Sequence, residues 1–318
     1  MSGSLLLAVT FGAATLVAAC GVALVVYVAH RFTTPKRVSV PSLSHVSAER
    51  VEFPARHDRL RLAAWYCPAP QANGVVILVH GRDACRGVEL RNSSDTIVER
   101  LTAAGLSVLL LDLRGHGDSA PSRLTFGRLE QRDVLGAVDY VLRRGYRRGA
   151  VGVLGASMGG ASAIAAAVAE PAIGALVTDS AYADLGDLLR CQFTRLTRLP
   201  TALLGSALLA ARMLTGVDLV HDAPVHLMVG MRGRPTLVIH AAGDPFVPVR
   251  HARELAIAGG TTLWVTESDR HLGSFASGVV EYADVVVHFL VRHLLAPAIE
   301  SARERASPDP LQHAGASA

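Results

Sequence analysis

The run Ala150-Val151-Gly152-Val153-Leu154-Gly155-Ala156-Ser157-Met158-Gly159 decides how this chain is read. Its first half is short and apolar, which predicts a buried strand over 150–154, and a stretch of small residues over 161–169 predicts a helix after it. A serine between glycines at a strand-turn-helix junction is held in a tight turn and aimed out of the end of the sheet. The flanking glycines let strand and helix approach without a Cβ clash. The helix N-terminus adds unpaired N–H groups and the positive end of a dipole where an oxyanion would form. A phosphate-binding loop would use the same junction, but no Gly-x-Gly-x-x-Gly fits here and no Gly-Lys-Ser/Thr follows. The junction therefore predicts a nucleophile, Ser157, with the Met158 N–H as one oxyanion donor.

Outward from that run, apolar β-branched stretches alternate with helical ones from Gly74 onward, the pattern of a parallel sheet buried on both faces. Strands are predicted over 75–79, 107–111, 175–178, 236–240 and 262–266, and helices over 93–104, 130–143 and 252–259. Upstream, 49–55 and 59–66 read as a hairpin around His57-Asp58, with Val51 and Phe53 alternating against Arg50 and Glu52. The expected fold is α/β, a mostly parallel eight-stranded sheet flanked by helices over 49–298. The connection 180–234 is far longer than the rest, and helical periodicity within 185–214 predicts a cap, about 185–230, between strands six and seven. Leu199–Leu209 in that cap is mostly apolar but about half as long as a bilayer span requires. It reads either as a packed cap helix or as one facing a membrane or an acyl chain.

A serine hydroxyl is a weak nucleophile alone and needs a base that is itself oriented by a carboxylate. Asp244, in Gly243-Asp244-Pro245, follows the strand ending at His240, and His271 follows the strand ending at Thr266. Both fall at C-terminal strand ends, where open α/β sheets bind ligands. Among 13 histidines, position selects His271: His251 begins a helix, His288 lies inside the last helix, and His240 precedes the acid on its own strand. Asp179, after the strand at 175–178, is the rival carboxylate. The second oxyanion donor is expected in His80-Gly81-Arg82-Asp83, as the backbone N–H of Arg82. His80 reads as a brace for that loop. The run Asp112-Leu113-Arg114-Gly115-His116-Gly117-Asp118-Ser119 reads as a structural loop at the rim, with no catalytic role carried onto His116.

With these pieces in place the chain resembles the α/β-hydrolase superfamily over roughly 49–295. The resemblance rests on the HisGly loop at 80–81, Asp-x-Arg-Gly-His-Gly-x-Ser at 112–119, the elbow at 155–159, Gly-Asp-Pro-Phe-Val-Pro at 243–248 and the late His271. Within it the chain is similar to the bud-emergence-protein-like serine hydrolases, many of which carry an N-terminal membrane segment, and Asp222-Ala223-Pro224-Val225 before Pro235-Thr236-Leu237 fits that pattern. It departs from the common pattern at Ala241-Ala242-Gly243, where a Gly usually follows the position of His240. It departs again at Ser268-Asp269-Arg270, where small residues usually precede the histidine. The resemblance implies two-step acyl transfer on an ester, thioester or amide, with no metal or organic cofactor.

The rest of the chain bounds the setting. A hydrophobic share of 50% fills a sizeable core, and a balance of 31 basic to 27 acidic residues, scattered along the chain, argues against nucleic acid as a partner. Lys36 is the only lysine, and with the Ala, Val, Leu and Gly bias this suggests a GC-rich bacterial genome. The four cysteines have no zinc-like spacing. Leu5 to Ala29 carries no charged residue and is long enough, at about 1.5 Å per residue, to cross the roughly 30 Å hydrocarbon layer. Residues 1–30 are expected to be a transmembrane anchor and 31–48, with Pro35 and Pro41, a linker. A cleaved signal peptide and a lipoprotein box at Val17-Ala18-Ala19-Cys20 are the competing readings. Arg31, Lys36 and Arg37 follow the segment and no basic residue precedes it, which puts the following domain on the cytoplasmic side. The tail, 299–318, is expected to be disordered. The expected function is a serine hydrolase acting on a small-molecule or lipid acyl substrate. A peptidase or amidase of the same fold, and a tethered binding protein without turnover, are the alternatives.

Overall fold

The computed structural model describes residues 2–41, 46–88 and 94–295. The tail expected to be disordered lies outside the described residues. Strands β1 (Glu49–Pro54), β2 (Arg61–Cys67), β3 (Gly74–Val79), β4 (Leu106–Leu111), β5 (Val151–Ala156), β6 (Ile173–Asp179), β7 (Thr236–Ala241) and β8 (Thr262–Thr266) form one sheet. Their order is β1-β2-β4-β3-β5-β6-β7-β8, antiparallel at β1–β2 and β2–β4 and parallel at every other pairing. This is the mostly parallel eight-stranded α/β sheet expected from the sequence.

Helices α1 (Ser2–Thr33), α2 (Ser94–Ala103), α3 (Glu130–Arg143), α4 (Met158–Ala169), α5 (Leu185–Thr197), α6 (Leu204–Thr215), α7 (Pro224–Met228), α8 (Arg250–Gly259), α9 (Gly273–Ser277) and α10 (Val279–Leu294) complete the described chain. Along β3, Val75, Ile77 and Val79 enter the core shared with α3, α4 and α8, whereas Val76 and Leu78 enter the core shared with α2 and α10. The side-chain period of two sends alternate residues to opposite faces, and because both faces are covered the strand reads as an unbroken apolar run. Each such side chain contributes about 1.5–3 kcal/mol by leaving water.

The strand order puts the site where it is. From β3 the chain crosses to β4 on one side and then returns to β5 on the other, so two connections diverge at the C-terminal ends of β3 and β5. Such a switch point opens a crevice in a parallel sheet. Val79 pairs with Gly155, so the loops after β3 and β5 leave the sheet side by side, and Ala241 pairs with Thr266, which does the same for the loops after β7 and β8.

The cap between β6 and β7 is α5, a 3-10 turn at Thr201–Leu203, α6 and α7. Asp184 caps α5 by accepting from the Asp187 N–H at 2.9 Å, and Arg198 ends it in the left-handed conformation ahead of Pro200. Leu199–Leu209 is therefore broken rather than one helix. Leu204 and Ala207 are buried in it, while Leu209 is 62% exposed and Met213, one turn on, is 81% exposed. The cap thus has both a packed face and a bare apolar one.

α1 is long and apolar enough to cross a membrane by length and composition. Every residue from Leu5 to Leu24 is exposed, a length of helix of about 30 Å at the usual rise. Beyond it, Val28 and Ala29 are buried with Leu189, Phe193, Ala207 and Ala211 of the cap. Phe32 stacks on Phe193 at 6.4 Å between ring centroids, and the Thr33 carbonyl accepts from the Leu124 N–H at 2.7 Å. The last turns of α1 are part of the folded domain.

Candidate active site

Ser157 stands between β5 and α4 with φ 51° and ψ −118°, a conformation that costs a non-glycine residue about 1–3 kcal/mol. The surroundings hold it there. Its N–H donates to the Asp179 carbonyl of β6 at 2.8 Å, and its own carbonyl accepts from the Gly160 N–H at 2.9 Å. A Cβ on Gly155 would stand 2.5 Å from the Gly159 carbonyl oxygen, and one on Gly159 would stand 2.5 Å from the His80 carbonyl oxygen and meet that of Val79 as well. Both glycines are required by close backbone approach, so the spacing Gly-x-Ser-x-Gly follows from packing.

The structure brings Ser157, His271 and Asp244 together. His271 Nε2 lies 2.9 Å from Ser157 Oγ, and its Nδ1 lies 2.7 Å from Asp244 Oδ2. With Asp244 ionised, Nδ1 carries the proton and Nε2 is left to accept from the serine hydroxyl. Asp244 Oδ1 accepts from the N–H groups of Phe246 and Val247 at 2.8 and 2.9 Å, the Asx turn that Asp-Pro-Phe favours. Burial pushes this carboxyl up, but the hydrogen bond and charge of His271 and the two amides outweigh it and hold it below the usual range. His271 sits on a tight turn: Leu272 is left-handed, with φ 56°. The Leu272 N–H donates to Ser180 Oγ at 3.3 Å. Asp269 and Arg270, next to the histidine, are exposed and face each other at 3.8 Å.

Asp179, the rival carboxylate, is fully buried and accepts from its neighbour Ser180 Oγ at 2.9 Å. It is on the serine's side of the sheet end and does not bond His271. His240 instead supports the acid: its Nε2 donates to the Val247 carbonyl at 2.8 Å and lies 3.7 Å from Asp244 Oδ2.

The loop after β3 is braced by two buried histidines. His80 Nε2 accepts from the Leu113 N–H at 3.0 Å, so its Nδ1 donates to the Gly81 carbonyl at 2.7 Å. His116 Nε2 accepts from the Asp83 N–H at 3.3 Å, and its Nδ1 donates to the Arg114 carbonyl at 2.9 Å. Burial lowers the pKa of both, that of His80 to about 3, which keeps them neutral. Arg86 adds a third tie, its N–H donating to Asp112 at 2.7 Å and its guanidinium pairing with Asp112 and Asp118. The run 112–119 thus locks the loop carrying Arg82 beside Ser157. Among the described residues, neither the Arg82 nor the Met158 backbone N–H has an acceptor. The Arg82 guanidinium lies over the rings of Phe32 and Phe126.

Ser157 and His271 open into a hollow of about 620 Å³ lined by Leu196, Leu199, Phe246 and Leu272, and by Tyr27 and Val28 of α1. Its charged lining is Arg31, Lys36, Arg82 and Asp83. Among the described residues, no group of three or more His, Cys, Asp or Glu is arranged to hold a metal ion. The sequence predicts only an anchoring role for the α1 residues, and no place in the lining for Phe246 or Leu272. Phe246 had a signal, its place two residues beyond Asp244, and its ring lies edge-on to His271 at 5.2 Å.

The profile of the family described as serine aminopeptidase, S33, matches residues 70–222, a span that includes Ser157 but not Asp244 or His271. An uncharacterised Bacillus subtilis protein, YqkD, is 27% identical over 191 residues, which cover 58% of this chain and 62% of that one. The chain therefore spans less than two thirds of that relative's length. The Pyrococcus furiosus esterase Pf2001 superposes with a TM-score of 0.67 at 23% identity, covering 82% of this chain and 99% of the esterase. A puromycin-hydrolysing peptidase of Mycobacterium tuberculosis superposes with a TM-score of 0.62 at 18% identity, covering 80% of this chain and 41% of the peptidase. With its switch-point crevice, its serine elbow and these structural relatives, this chain has the α/β-hydrolase fold.

Proposed function

We propose that the chain is a membrane-anchored serine hydrolase that cleaves a carboxylic ester or thioester through an acyl-enzyme. The observation that carries the reading is the unbroken hydrogen-bonded chain Asp244–His271–Ser157 at the floor of a largely apolar hollow. Ser157 Oγ attacks the carbonyl carbon as His271 Nε2 takes its proton, and Asp244 stabilises the resulting imidazolium. The N–H groups of Met158 and Arg82 receive the negative charge on the carbonyl oxygen. His271 then protonates the departing alkoxide or thiolate. Water, deprotonated by the same imidazole, attacks the acyl-serine, and His271 returns that proton to Ser157 Oγ as the bond to the acyl carbon breaks and the carboxylic acid leaves.

An amide substrate is the second reading, favoured by the serine aminopeptidase profile. A free amino terminus calls for a carboxylate partner. Among the described residues Asp83 is the one carboxylate in the lining, and it already accepts from the Lys36 N–H at 2.8 Å and faces Arg82 at 3.3 Å. Three cations around one engaged carboxylate favour an uncharged or anionic ester. Arg31 in the last turn of α1, with Lys36 and Arg37 just beyond it, favours a domain on the cytoplasmic side.

The test is a panel of p-nitrophenyl esters of rising chain length and aminoacyl amides, given to the full-length protein in detergent. The expected outcome is hydrolysis of long-chain esters that disappears in Ser157→Ala. Preference for short soluble esters with long chains ignored would sink the acyl-lipid reading, and turnover of amides alone would favour the peptidase.

A further inference from the structure

The hollow over Ser157 is walled in part by the helix that would anchor the domain. Leu24, Tyr27, Val28 and Arg31 all line it, and their spacing puts them in one stripe along α1. Leu24 also closes the exposed run that begins at Leu5. A run of that length fills the hydrocarbon layer, so the α1 wall of the hollow begins where the layer ends.

Two further features lie at that level. An open groove of about 660 Å³, lined by Ala19, Val22 and Val26 of α1 and Leu214 of α6, shares Tyr27 with the hollow. Leu209 and Met213 bare an apolar stripe on α6, the cap helix against which α1 packs. Arg31, two turns past Leu24 on α1, puts a cation beyond the hydrocarbon end of the helix, and Lys36 and Arg82 also line the hollow. The volume of the hollow falls within the roughly 300–1,000 Å³ of sites that enclose small organic ligands.

Resting on the hydrolase reading above, we infer that the substrate is a long-chain acyl ester resident in the bilayer. Its chain runs along α1 past Tyr27, and its carbonyl reaches Ser157 without the molecule leaving the membrane. α1 is then a specificity wall of the site as well as a tether.

The experiment uses full-length protein in nanodiscs of ether-linked phosphatidylcholine, which offers no acyl ester of its own. A hexadecyl fluorophosphonate with a diazirine at the chain end is reacted with Ser157 and photolysed. The expected result is a cross-link from Ser157 to the α1 peptide spanning 19–32, and cross-links only to peptides outside α1 would overturn the inference. Leu24→Trp should slow labelling by the hexadecyl reagent about tenfold or more, the scale on which an apolar pocket discriminates by shape. Its labelling by a short ethyl reagent, whose chain ends short of Leu24, should be slowed by a several-fold smaller factor. An equal effect on both reagents, or on neither, would overturn the inference. Val9→Trp, on the exposed run, should leave both rates unchanged, and slowing of the hexadecyl reagent as large as in Leu24→Trp would overturn it too. Failure of both reagents to label Ser157 in the unaltered protein would overturn the hydrolase reading itself, and the inference with it.

Discussion

Asp244 divides its carboxylate between two tasks: Oδ2 stands 2.7 Å from His271 Nδ1, while Oδ1 holds the N–H groups of Phe246 and Val247 at 2.8 and 2.9 Å. Asp244→Asn keeps an oxygen for the two amides but offers His271 an N–H where an acceptor is needed. The imidazole then turns its acceptor toward Asn and its N–H toward Ser157, the wrong tautomer for a base. Ester hydrolysis should fall by about 10³–10⁴-fold with the thermal midpoint little changed, by analogy with the same substitution in a serine protease triad. Initial rates and a thermal melt check this, and a loss under about tenfold would assign the orienting role elsewhere.

Gly159→Ala drives a methyl group into the carbonyls of Val79 and His80, both backbone and unable to swing aside. The strand-helix contact must open. Urea unfolding should register a loss of about 1–3 kcal/mol, and labelling of Ser157 should fall further than that loss alone explains. Full stability with full labelling would mean that the elbow is looser than its contacts imply.

Arg114, 2% exposed, bridges fully buried Asp133 at 2.6 Å and Asp58 at 2.8 Å. Arg114→Ala leaves the Asp133 carboxylate buried without its partner and should cost about 3–5 kcal/mol by urea denaturation. Replacing Arg114 and Asp133 together by Met and Leu should recover most of that loss. A single variant as stable as the parent would remove the pair from the list of supports beneath the rim loop.

Buried neutral histidines should tie stability to pH. Burial, and then the charge of Arg250, push His251 from 6.5 down to about 4. Between those values the unfolded chain binds a proton that the folded chain refuses. The stabilisation is therefore complete above about 6.5 and is lost as pH falls toward 4. Asp179, pushed up to about 6 by burial, acts in the opposite sense over part of that range, so the histidine effect is read as a difference. From pH 7 to 5, the unfolding free energy of His251→Asn should fall by about 1–2 kcal/mol less than that of the parent. Parallel pH profiles would contradict it.

The fold could be read in the sequence because its strands are buried on both faces. Val75–Val79 and Ala150–Leu154 are apolar throughout, and their lengths leave little room for helix. Ser157, Asp244 and His271 were legible because each follows a strand end, a position that the sequence order of strands and helices already exposes. His80 and the run 112–119 were legible as supports of the rim, but most of their partners were not. That His116 accepts from the Asp83 N–H, and that Arg86 pairs with Asp112, depends on loops brought together by the order β4-β3-β5, which no local pattern records. The two lives of α1 were hidden for a different reason. Val26 and Val28 are the same residue type two positions apart, yet one is exposed and the other packs on the cap, and hydropathy is blind to that difference.

In the proposed mechanism Ser157 is a nucleophile activated by His271. The most direct measurement is reaction of the full-length protein with a fluorophosphonate, with the adduct located by peptide mass spectrometry. The expected result is a single adduct on Ser157, absent in Ser157→Ala and formed about 10³-fold or more slowly in His271→Ala. A folded protein that leaves Ser157 unmodified, or that reacts equally fast without His271, would contradict the claim.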